Sequence, residues 1–146
     1  MNVLITGASG GLGRSLANEC ARRGYRLFLT DVREDRLAAL QTGLVRQYGV
    51  DVAYQACDLT SATSVEEMFG FIDRHGLRFD MLLNVAGIDY EGGFLTVDCQ
   101  KVLAIVGLDV MATLRVTHGV LQRRRAGHRF YLLFVSSLAS LCPMPL

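Results

Sequence analysis

Between Thr6 and Gly13 the chain reads TGASGGLG, directly after the β-rich run NVLIT and directly before a helical pattern. No other stretch restricts the fold as much. A helix start carries unpaired N–H groups and a partial positive charge. Glycines just ahead of it let the backbone bend and let a diphosphate approach closely. Leu12, Leu16 and Cys20 then recur at helical spacing, and Gly24 ends the helix. Gly7, Gly11 and Gly13 are therefore candidate phosphate-contacting positions, and the unit reads strand, phosphate-binding turn, helix.

The pattern repeats along the chain. YRLFLT, closed by Asp31, reads as a second strand, and Glu34 to about Tyr48 as a helix stopped by Gly49. VDVAYQAC is a third strand. A helix capped by Ser61 or Ser64 runs to Gly76, and FDMLLNVAG is a fourth strand entering a turn. A long helix spans about Val97 to Arg124, and FYLLFVSS is a fifth strand. Strands that alternate with helices predict βαβ units, and near-continuous apolar strands predict a parallel sheet covered on both faces. The expected fold is α/β, a Rossmann-like doubly wound parallel sheet with five strands in the order 3-2-1-4-5. No linker interrupts the series, so residues 1–146 read as one dinucleotide-binding domain.

Composition narrows the partners. Apolar residues make up 51% of the 146 residues and charged ones 20%, which is globular. A formal net charge of +1 argues against a nucleic-acid partner. The basic run RRRAGHR, Arg123 to Arg129, reads as a solvated helix end and loop. Cys20, Cys57, Cys99 and Cys142 form neither a CxxC pair nor a metal-ligand set. They read as reduced thiols of a cytoplasmic protein, no signal peptide is expected before Asn2, and no metal is expected. No uninterrupted apolar run approaches the roughly 18 residues of a membrane span, so no membrane partner is expected.

Asp31 ends the second strand 18 residues beyond Gly13, where a carboxylate can accept both adenosine ribose hydroxyls and would repel a 2′-phosphate. That favours NAD over NADP as cofactor. The competing reading of Asp31 is a helix N-cap.

Taken together, TGASGGLG, Asp31, Asp58 in CDLT, NVAG at Asn84 to Gly87, and VSS at Val135 to Ser137 resemble the short-chain dehydrogenase/reductases, in order and over the whole chain. The resemblance implies a role for each matching residue. Gly7, Ser9, Gly11, Leu12 and Gly13 would line the pyrophosphate and nearby ribose, and Asp31 would hold the adenosine ribose. Asp58 with Leu59 would contact adenine. Asn84, Ala86 and Gly87 would border the cofactor, with Val85 departing from the family's usual NNAG. Ser137 would be the catalytic serine that hydrogen-bonds the substrate's carbonyl or hydroxyl. Taken alone, Ser136 and Ser137 are ordinary strand-end hydroxyls, and Asp58 a turn acid.

Asp109 interrupts a helical stripe of Val102, Ile105, Val106, Ala112, Val116 and Val120. A lone carboxylate on a core face is costly unless it is paired, hydrogen-bonded or protonated. Either the helix turns Asp109 to solvent, or it replaces the asparagine of the family's Asn-Ser-Tyr-Lys set, which accompanies a local helix distortion. The helix is apolar on its other side too, through Leu103, Val110, Met111, Leu114 and Leu121. The resemblance implies that this helix meets a partner subunit, so a homo-oligomer is expected of the complete protein.

The resemblance also implies a YxxxK pair about a dozen residues beyond the serine, and no YxxxK occurs in these 146 residues. Lys101 is the single lysine and lies on the long helix. The expectation is an inactive fragment, lacking the family's further C-terminal strands, of an NAD(P)-dependent oxidoreductase acting on a small carbonyl or alcohol. The GIDYEGGF loop and LCPMPL would border the substrate. The alternative is a non-catalytic dinucleotide-binding module.

Overall fold

The structure, a computed structural model, describes residues 1–137, 141 and 142. Five strands form one parallel sheet in the order β3-β2-β1-β4-β5. They are β1 (Asn2–Thr6), β2 (Arg26–Asp31), β3 (Val52–Ala56), β4 (Met81–Asn84) and β5 (Tyr131–Phe134). The expected order is the one found. Between them run α1 (Gly11–Arg22), α2 (Glu34–Tyr48) and α3 (Ala62–Arg74), then α4 (Cys99–Ile105), a π-helical segment (Val106–Ala112) and α5 (Thr113–Leu121).

Local chemistry sets the boundaries. Gly49 ends α2 in the left-handed conformation, and Ser61 caps α3 by accepting from the Ser64 N–H at 3.3 Å. Asp98 caps α4 by accepting from the Gln100 N–H at 2.9 Å. The sheet is covered on both faces. On one, Leu4, Phe28 and Leu82 pack with Val65, Met68 and Ile72 of α3 and with Ala112, Val116 and Val120. On the other, Val3, Ile5 and Leu29 pack with Ala17 and Ala21 of α1 and with Leu37 and Leu44 of α2. Because these side chains are closed off from water, they supply the main apolar driving force for the fold.

The long helix departs from a simple stripe. Ala112, Val116 and Val120 are fully buried, whereas Val106 is 48% exposed. The π segment widens the helix over one turn and rotates the residues ahead of it out of phase with those behind. Leu103, Val110, Met111 and Leu114 also face outward. The continuous helical stretch Cys99–Leu121 is long and apolar enough to cross a membrane by length and composition, with mean hydropathy 1.4. Its charged interruptions hide this when only unbroken apolar runs are counted. Its inner face nonetheless belongs to the core over β4.

The basic run is less solvated than expected. Arg123 pairs with both carboxylate oxygens of Asp73, at 3.0 and 2.6 Å, and stacks on the Phe69 ring. Arg125 reaches the buried Asp80 at 3.1 Å. Long-range carboxylates that sequence spacing cannot reveal draw these side chains in. Among the described residues, β5 pairs only with β4, and it is exposed along its length. Of LCPMPL, residues 143–146 lie outside the described residues.

Candidate functional site

The carboxyl ends of β1, β2, β4 and β5 meet at one edge of the sheet, where α/β folds bind ligands. The glycine loop occupies the centre. Gly7 has φ +60, and a Cβ there would stand 2.8 Å from Ala86 Cα, so the loop and the NVAG turn touch backbone to backbone. A Cβ on Gly13 would meet the Gly7 carbonyl oxygen at 2.1 Å, which presses α1 against the turn. Above Gly11 there is open space, with nothing within 4 Å of where a Cβ would sit. No side chain caps α1, and the N–H groups of Gly11, Leu12 and Gly13 find no acceptor among the described residues. Leu12 is half exposed at the rim. Open donors, positive helix end and uncrowded backbone together fit a diphosphate.

Asp31 points at this loop. Its Oδ2 accepts from the Ser9 N–H at 3.1 Å, and its Oδ1 accepts from the Arg33 N–H at 3.4 Å. It does not cap α2, where Arg33 stands at the cap without a side-chain bond. Asp58 is exposed and accepts from the N–H and hydroxyl of Thr60, at 2.9 and 2.6 Å. The Thr60 hydroxyl first, then its N–H, holds the Asp58 carboxyl below the usual carboxylate range. Leu59 is buried in the core, so only its backbone is available to a ring placed over this loop.

The NVAG turn is fixed by two hydroxyls, that of Thr6 at the head of the glycine motif and that of Thr117, which no sequence motif marks. Thr6 Oγ1 accepts from the N–H groups of Val85 and Ala86, at 3.0 and 3.1 Å. The buried Asn84 donates its Nδ2 to Thr117 Oγ1 at 3.1 Å, tying β4 to α5.

Asp109 lies in the middle of the π segment and is half-buried. Its Oδ1 accepts from the Ile88 N–H at 3.1 Å and lies 3.4 Å from where a Gly87 Cβ would stand. Its carboxylate is therefore hydrogen-bonded on the core side instead of turned to solvent. Ser137 follows β5, whose end is held by the Val135 N–H donating to the Asn84 carbonyl at 3.0 Å. The fold thus brings Gly7 to Gly13, Asp31, Asn84 to Gly87, Asp109 and Ser137 to one end of the sheet.

A wider cleft of about 830 Å³ lies at the opposite end of the sheet, between Arg26, Val50, Leu77 and Arg125. Its guanidiniums are already paired, Arg26 with Asp51, Arg78 with Asp73 and Arg125 with Asp80. Volume alone would select it, but it lacks the open donors of the glycine loop.

This geometry defines a nucleotide-binding α/β protein. The chain belongs to the short chain dehydrogenase family, whose sequence profile matches residues 1–146. It is 30% identical to a very-long-chain 3-oxoacyl-CoA reductase of Laccaria bicolor, over 98% of this chain and 43% of that protein. It is 32% identical to an uncharacterized oxidoreductase of Myxococcus xanthus, over 93% of this chain and 53% of that one. The chain thus spans about half the length of the curated relatives it matches. Its fold superposes on a short-chain dehydrogenase from Sphingobium yanoikuyae in complex with NADPH, with TM-score 0.87, 30% identity, and 97% and 55% of the two chains covered. L-sorbose reductase from Gluconobacter frateurii, complexed with NADPH and L-sorbose, matches with TM-score 0.91 and 25% identity over 98% and 54% of the two chains.

Proposed function

We propose that residues 1–146 form the cofactor-binding part of an oxidoreductase that interconverts a small-molecule carbonyl and alcohol using a nicotinamide dinucleotide. The observation that carries this reading is the unobstructed glycine turn, with three unused N–H groups at the start of α1. When bound, the nicotinamide ring supplies or accepts the hydride. The chain's own residues do the positioning. Gly11, Leu12 and Gly13 donate to the diphosphate, Asp31 accepts from a hydroxyl of the adenosine ribose, and the Asp58–Thr60 turn borders the adenine. Asn84 to Gly87 form the floor, and Asp109 keeps that floor in place through Ile88. Ser137 donates to the substrate oxygen. No residue among the 146 matches the family's tyrosine and lysine, so proton transfer is assigned to none of them.

Two observations bear on the form of the cofactor. Asp31 alone favours NAD, whereas the Sphingobium and Gluconobacter neighbours were solved with NADPH. NADP is therefore the favoured form, which reverses the order expected from Asp31. The outward apolar row of α4, the π segment and α5 supports a homo-oligomer in the complete protein. Titration calorimetry of the 146-residue protein with NADPH and NADH tests the reading. Weak binding without turnover of a ketone is expected, and no binding of either nucleotide overturns it.

A further inference from the structure

Asp109 is the single acid of the helical stretch Cys99–Leu121. Its two oxygens differ. Oδ1 accepts from the Ile88 N–H at 3.1 Å, whereas Oδ2, 3.7 Å from where a Gly87 Cβ would stand, accepts from no described residue. No described cation pairs with the carboxylate. The lysine and the arginine of the same stretch are engaged elsewhere, Lys101 over the Tyr90 ring and Arg115 on the Leu59 and Thr60 carbonyls. One neutral N–H offsets only part of a full charge. Asp109 is half-buried, and Gly87 beside it is exposed. A fixed, uncompensated negative charge therefore lies against an open part of the floor. The acids of the following loop, Asp89 and Glu91, are exposed, where water and salt screen them.

Strand order says what meets that charge. The glycine turn at the end of β1 takes the diphosphate, and Asp31 and Asp58 stand on the side of β2 and β3. A dinucleotide anchored in this way sends its other half over β4 and β5, onto Asn84 to Gly87. Its nicotinamide ring is a cation when oxidised and neutral when reduced. We infer that the Asp109 carboxylate makes the site discriminate between the two redox forms of the cofactor, in favour of the oxidised one. The inference rests on the cofactor reading above and deepens it. A unit negative charge attracts the cationic ring and has no such attraction for the neutral one. In a half-buried position that attraction is screened less than at the surface. The diphosphate and the adenosine are the same in both forms, so neither the glycine turn nor Asp31 makes this distinction.

The test is calorimetry with NADP⁺, NADPH and ADP on the 146-residue protein and on Asp109→Asn and Asp109→Glu. Asparagine keeps an oxygen for the Ile88 N–H and removes the charge, whereas glutamate keeps the charge. In Asp109→Asn the ratio of the NADPH Kd to the NADP⁺ Kd should fall about threefold to tenfold. In Asp109→Glu it should stay within about twofold of the parent. ADP lacks the nicotinamide half and should bind all three proteins within about twofold of one another. A merely structural role would weaken both redox forms alike and leave the ratio where it was. An unchanged or raised ratio in Asp109→Asn overturns the inference and leaves the cofactor reading intact. So does an equal fall in Asp109→Glu, or a change in ADP affinity as large as the change for NADP⁺. Failure of both NADP⁺ and NADPH to bind the folded parent overturns the cofactor reading as well.

Discussion

Asp109 accepts a hydrogen bond from the Ile88 backbone N–H at 3.1 Å, which joins the π segment of the long helix to the turn after β4. A carboxylate on an apolar stripe thus has a structural role, because it satisfies a partly buried donor where the chain leaves the sheet. An amide oxygen can do the same.

Asp109→Asn is therefore expected to keep stability within about 0.5 kcal/mol, whereas Asp109→Ala should lose about 1–3 kcal/mol by leaving the Ile88 N–H unsatisfied. Urea unfolding of the two variants measures this. Equal stability of Asp109→Ala and the parent would contradict the assignment.

Gly13→Ala should be more damaging. The added Cβ would lie 2.1 Å from the Gly7 carbonyl oxygen, so α1 or the turn must move. A loss of roughly 1–3 kcal/mol is expected, together with loss of nucleotide binding. Gly11→Ala meets no atom and should fold normally while weakening nucleotide binding by filling the space above the loop. Thermal unfolding and calorimetry separate the two effects. A Gly13→Ala protein that binds nucleotide as the parent does would count against the packing described.

Much of the fold was legible beforehand, and the reason is local. The glycine spacing encodes the β1 turn, Gly49 and Ser61 mark the ends of their helices, and apolar runs mark the strands. What stayed hidden depends on distant partners. Nothing near Arg123 announces Asp73 and Phe69, and nothing near Asn84 announces Thr117. The outward position of Val106 follows from the π segment, which a count at 3.6 residues per turn cannot register. The place of Asp31 at the end of β2 was legible, but its bond to the Ser9 N–H was not, because that bond joins two separate strand ends.

Gly119 is subject to the same limit. A Cβ there would stand 2.3 Å from the Phe69 ring, so α5 rests directly on α3. Gly119→Ala, although favourable for helix propensity, should destabilise by about 1–3 kcal/mol. Stabilisation in urea unfolding would show that the ring gives way.

Acid should weaken the protein through Asp80. Burial pushes its carboxyl up, but the Asn2 N–H at 2.8 Å and the Arg125 guanidinium at 3.1 Å outweigh it and hold the group below the usual range. The unfolded carboxyl titrates near about pH 3.9. A group whose folded pKa is depressed contributes its full stability above the unfolded value and loses it as pH falls through the folded one. The urea midpoint should therefore drop as pH is lowered from about 5 to 2, and Asp80→Asn should flatten that slope. An unchanged slope would contradict the assignment.

Self-association of the complete protein should depend on the outward row of the long helix. Leu114→Glu and Met111→Glu place charge on residues that are 62% and 55% exposed, so folding should survive while association is lost. Light scattering reads the result, and an unaltered oligomer would place the interface elsewhere.

The most direct test of the central claim follows backbone amide resonances of the labelled 146-residue protein during titration with ADP. The largest changes are expected at Ser9, Gly10, Gly11, Leu12 and Gly13, with Asp31 following. Changes confined to the cleft between Arg26 and Arg125 at the other end of the sheet, or none at millimolar nucleotide, would contradict the account.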